Sequence, residues 1–81
     1  MMAETFMAEI FEAKLLSDLQ PVSHEGILTV MAVIYPVRMC PLPIRAYTAC
    51  WIGAGEAYKG DMVEVEVDPH HDLFIIGRQQ G

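Results

Sequence analysis

The sequence predicts a small β-rich α+β domain: an antiparallel sheet or partly closed barrel of about four strands, with an N-terminal helix. Three observations carry this expectation. Val63, Val65 and Val67 alternate with Glu64, Glu66 and Asp68, the period-two pattern of a half-buried strand. Prolines and glycines cut the remainder into strand-length pieces. Only residues 2–14 combine helix-forming composition with an amphipathic face. If that first segment is instead a strand, the expectation becomes an all-β, five-stranded SH3-like or OB-like barrel.

As a helix, residues 2–14 gather Met2, Phe6, Met7, Ile10, Phe11 and Ala13 on one side, with Glu4, Glu9 and Glu12 opposite. The stripe fails beyond Lys14, where Leu15, Leu16 and Leu19 point away from it. As a strand, Phe11, Ala13 and Leu15 alternate with Glu12 and Lys14. Residues 17–26 are expected to connect, because Pro21 blocks helix continuation and Ser23-His24-Glu25-Gly26 is turn-like. Ile27–Tyr35 is β-branched and apolar without alternation. Such a strand is buried on both faces, central in a sheet or covered by something. Pro36, Pro41 and Pro43 stiffen the next connection. Ile44–Ile52 is a strand with Ile44, Ala46, Thr48, Cys50 and Ile52 on one face, and Arg45, Tyr47, Ala49 and Trp51 on the other. Gly53-Ala54-Gly55 ends it. The strand of Val63, Val65 and Val67 and the strand Leu73–Ile76 form an antiparallel hairpin through Asp68-Pro69, a residue pair suited to a turn.

Eighty-one residues make one expected domain, 1–81. A chain of this size hides only about two thirds of the surface its unfolded form exposes. Yet 53% of its residues are hydrophobic. Some of that apolar surface is expected to face a partner, and a second copy is the simplest candidate. Leu73–Ile76 points the same way. If Leu73 and Ile75 join the valines, Phe74 and Ile76 emerge beside Glu64 and Glu66 and want cover.

The net charge is −6, with five Lys and Arg that do not cluster. Nucleic acid and anionic membrane are therefore poor partners, since both attract basic stripes. Met1–Thr5 lacks the basic region of a secretory signal. The longest apolar run, Ile27–Tyr35, is far short of the roughly 20 residues a membrane helix needs. A cytoplasmic location is expected, with Cys40 and Cys50 as free thiols.

Four groups of residues invite chemistry. Asp68-Pro69-His70-His71-Asp72 is the densest set of potential metal ligands, with His70, His71 and Asp72 as candidates. A polar exposed turn explains the same residues. Gly53-Ala54-Gly55-Glu56 lacks the spacing of a phosphate loop. Neither Cys40 nor Cys50 has a neighbouring histidine to act as base. Arg38, Arg45, Tyr47 and Trp51 make the central region the one that is both aromatic and cationic. Such a surface suits a small planar or anionic ligand, while packing is the commoner use of a large aromatic. With no nucleophile, base and acid arranged together, an enzyme is not expected, nor any cofactor. The chain is expected to be a self-associating binding or structural module, with Arg38, Arg45, Tyr47, Trp51, Phe74 and Ile76 as its ligand or interface residues. A metal-binding protein is the alternative.

Overall fold

The computed structural model describes residues 9–79. Six strands follow one another: β1 (Glu9–Leu15), β2 (Gln20–His24), β3 (Ile27–Arg38), β4 (Tyr47–Trp51), β5 (Met62–Val67) and β6 (Leu73–Arg78). Five of them close into a barrel in the order β1-β5-β6-β4-β3, and β3 returns to β1. The all-β barrel expectation fits; the four-strand sheet with an N-terminal helix does not. Residues 2–8 of that expected helix lie outside the described residues, and the rest of it is strand β1.

The helical reading fails for a tertiary reason. β1 pairs with β5 from Glu9 to Lys14 and with β3 from Glu12 to Leu15. Phe11, Ala13 and Leu15 are almost fully inside. Pairing on both edges and burial of alternate residues outweigh a helix preference worth only tenths of a kcal/mol per residue. A register shift between Glu12 and Ala13 leaves Val37 as the extra residue of a bulge, where β3 bends along β1.

The expected connector 17–26 contains β2, which pairs with the first half of β3. The two-residue turn between them has positive φ at both Glu25 (52°) and Gly26 (79°). That is the type I′ geometry whose twist matches a hairpin. Pro21 does not prevent the strand because β2 pairs on one edge only.

β5 and β6 form the expected hairpin, with β6 running on through Gly77 to Arg78. A register shift between Glu64 and Val65 makes Ile76 the extra residue of a bulge. The barrel's one parallel seam joins β4 to β6 through Cys50↔Phe74 and Trp51↔Ile75, extended by Ile52 N–H donating to Ile75 C=O at 2.9 Å. Gly53 passes so close to β6 that a Cβ there would stand 2.7 Å from the Ile76 carbonyl oxygen.

The interior is filled by Phe11, Leu15, Ile34, Val63, Val65 and Ile75, all fully buried, with Ala13, Ala32 and Ala49 between them. Mixing large and small residues is how a narrow barrel is filled. Among the described residues no polar or charged side chain is buried, and no helix is long and apolar enough to cross a membrane.

Candidate functional site

The barrel's outer surface follows from strand alternation. On β3, Ala32 and Ile34 point inward, so Ile27, Thr29, Met31, Val33 and Tyr35 point outward. On β4, Ala49 and Trp51 are inside; Thr48 and Cys50 are outside. On β6, Ile75 is inside and Phe74 outside. The registers join these into a wall: Met31 stands beside Cys50, Val33 beside Thr48, and Cys50 beside Phe74. None of these outward residues is charged.

Exposure along this wall is uneven. Met31, Val33, Cys50 and Phe74 are half-buried. Ile27 is 66% exposed, Ile52 56% and Val22 43%. A shallow groove of about 340 Å³ lies on the wall among Ser17, Gln20, Val22, Met31, Val33 and Thr48. The Ser17 hydroxyl in it is already engaged. It accepts from Val33 N–H at 3.0 Å and donates to Asp18 C=O at 3.1 Å. The groove thus offers aliphatic surface and no free charge.

The six residues expected to form one ligand or interface surface are not gathered together. Trp51 lies in the core, 9% exposed. Tyr47 packs against that core, donates its hydroxyl proton to Pro43 C=O at 2.7 Å, and carries Arg45 over its ring at 5.2 Å. Arg38 reaches Glu12 at 3.6 Å. Both guanidinium groups therefore have partners on their own side of the molecule. Phe74 and Ile76 are half-buried on β6, and Phe74 lies on the uncharged wall.

The potential metal ligands sit in the loop between β5 and β6. Asp68 Oδ1 accepts from the N–H groups of His70 (2.9 Å) and Asp72 (2.8 Å), which fixes the loop as an Asx-type turn. His71 adopts φ 67°, and both imidazoles are exposed. Among the described residues no three His, Cys, Asp or Glu side chains come together as a metal site. A second groove, about 750 Å³, opens between residues 54–56 and the outer side of β5 and β6, with Glu56, Glu64 and Arg78 on its rim. Arg78 is held by Asp61 at 3.7 Å.

No protein-family model, curated protein or solved structure matches this chain. Sequence reasoning missed Val22, Ile27, Met31 and Val33 as surface residues. The signal for the last three was present in the apolar run Ile27–Tyr35, which pointed to cover on both faces; Val22 lay in the segment read as a connector.

Proposed function

We propose that this protein is a non-enzymatic binding and structural module that works as a self-associated unit, docking through the outer wall of β3, β4 and β6. The observation that carries the reading is the absence of charge on that wall in a molecule of net charge −6. Two acidic copies repel at long range, so they meet best where neither presents a carboxylate. Apolar surface of this extent on a small chain marks an interaction site.

The strand order supports the same wall. Closure in the order β1-β5-β6-β4-β3, with one parallel seam, corresponds to an OB-type barrel rather than a sequential SH3-type meander. In OB barrels the outer face of the second and third barrel strands carries the ligand. Here those strands are β3 and β4. This is an analogy of fold, and it bears on position, not on ligand. The outward residues named above include no Lys or Arg, and Arg38 and Arg78, at the far ends of β3 and β6, are paired with Glu12 and Asp61, so a phosphate backbone finds little to neutralise it there.

Size-exclusion chromatography with light scattering tests the reading. The expected mass at micromolar concentration is a multiple of the 9.1 kDa chain. A monomer throughout the concentration series would overturn it.

A further inference from the structure

Resting on that reading, we infer that the β2–β3 hairpin is the docking arm: the outer faces of two hairpins pack together about a two-fold axis, and Ile27 of each copy enters the Val22–Met31–Val33–Thr48 groove of the other.

The hairpin extends past the barrel. β4 accompanies β3 only from Met31 to Ile34, so Ile27–Val30 has β2 as its one neighbour. All five residues of β2 are exposed, and Ile27 and Leu28 are the most exposed of its apolar side chains at 66% and 68%. A two-stranded ribbon alone in water is marginally stable. This one needs cover.

The cover comes to a face and not to the free edge. A two-residue I′ turn makes His24 and Ile27 the hydrogen-bonded pair nearest the turn. Alternation then turns the backbone groups of Ser23 and Pro21 toward the open edge of β2. Pro21 has no N–H to give, so an added strand would lose a ladder bond at the middle of that edge.

Of the two faces, one carries Gln20, Val22, His24, Ile27, Thr29 and Met31, as the registered pairs show. It runs without a break into Val33 and the groove. It holds no Asp, Glu, Lys or Arg. The other face carries Pro21, Ser23, Leu28 and Val30 and runs into the barrel interior at Ala32 and Ile34. Only the first face is continuous with the wall. Antiparallel packing of two such faces about the region of Thr29 and Met31 sets Ile27 of one copy over Val33 and Thr48 of the other.

The area fits a second copy. Val22, Ile27, Tyr35, Val37 and Ile52 are 40–66% exposed, and with half-buried Met31 and Val33 they present on the order of 500 Å² of apolar surface. A standard interface buries about 800 Å² per partner, a little over half of it apolar. An isologous contact supplies this twice over from one patch.

Four variants of the full chain decide the matter, each read by a dilution series in light scattering with circular dichroism as the check on folding. Ile27→Glu and Thr48→Glu are each expected to weaken self-association by about 30-fold or more, the loss of a central anchor. Leu28→Glu, on the opposite face, is expected to change it by less than about threefold. Ile27→Ser gives a second, uncharged reading at the first position. A parent protein that is monomeric overturns both this inference and the proposed function. An oligomer that survives Ile27→Glu, Ile27→Ser and Thr48→Glu overturns the arm alone. So does an oligomer that Leu28→Glu dissociates as readily as Ile27→Glu does.

Discussion

On the side of the barrel built by β1 and β5, the outward residues are Ile10, Glu12, Lys14, Met62, Glu64 and Glu66. On the side built by β3, β4 and β6 they are Met31, Val33, Tyr35, Thr48, Cys50 and Phe74. The two sides share one interior, and their inward residues are equally apolar. Outside, one side places Glu12 within reach of both Arg38 and Gln79, whose Nε2–H donates to Oε1 at 2.7 Å. On the other, Arg38 stands at the far end of β3 and pairs across to Glu12, and the outward residues from Met31 to Tyr35, with Thr48, Cys50 and Phe74, have no charge for such a contact. A fold needs only the inner half of each strand pattern. The outer half is free to record what the surface meets, water in one case and apolar matter in the other.

The largest expected effect tests the shared interior. Phe11 lies under the charged side and Ile34 under the uncharged one, and both are fully buried. Phe11→Ala should cost about 3–5 kcal/mol and Ile34→Ala about 2–5 kcal/mol in denaturant unfolding. The comparison must be made at one protein concentration, because association would add to stability. If only one of the two destabilises, the sides do not share a core as described.

A smaller effect is expected at the joint within the uncharged side. Gly53→Ala would set a Cβ 2.7 Å from the Ile76 carbonyl oxygen and 3.0 Å from Gly77 Cα. Those are backbone atoms and cannot swing aside. A loss of about 1–3 kcal/mol, seen as a lowered Tm, is expected. An unchanged Tm would mean that β4 and β6 do not approach as closely as drawn.

The smallest effect belongs to the acidic connection between β4 and β5. Tyr58 donates its phenol proton to Glu56 Oε2 at 3.1 Å. That hydrogen bond, then the negative charge of Glu56, hold its pKa above the ordinary tyrosine value. The sign is that of a group that keeps its proton more tightly when folded. Its contribution to stability is present at neutral pH and disappears as pH climbs past the unfolded value toward the folded one. Glu56→Gln should bring tyrosinate formation at Tyr58 back toward lower pH in an ultraviolet titration. An identical titration in the variant would remove Glu56 as the cause.

How much of this was legible in the sequence follows from the same contrast. β5 could be read because Glu64 and Glu66 mark the outward positions between the valines. β3 could be read as a strand but not oriented, since Met31 and Val33 are as apolar as Ala32 and Ile34. The same ambiguity hid Trp51. Its face and that of Cys50 were separated correctly, yet nothing in Tyr47-Thr48-Ala49-Cys50-Trp51 says which one turns inward. β1 was misread because helix preference is local and its two pairing partners are distant in sequence. β2 was passed over because Pro21 breaks most strands and spares only those with an open edge. Arg45, Tyr47 and Trp51 do share a face of their segment, but it turns toward the core, while Arg38 ends β3 beside Glu12 and Phe74 stands outside on β6.

The seam between β4 and β6 has a consequence for how the barrel could unfasten. It rests on two residue pairs, against six between β1 and β5. Were it to part, β4-β3-β1-β5-β6 would remain as a curved open ribbon with every other rung intact. The molecule is thus closer to a rolled sheet held by a short clasp than to a uniformly bound cylinder.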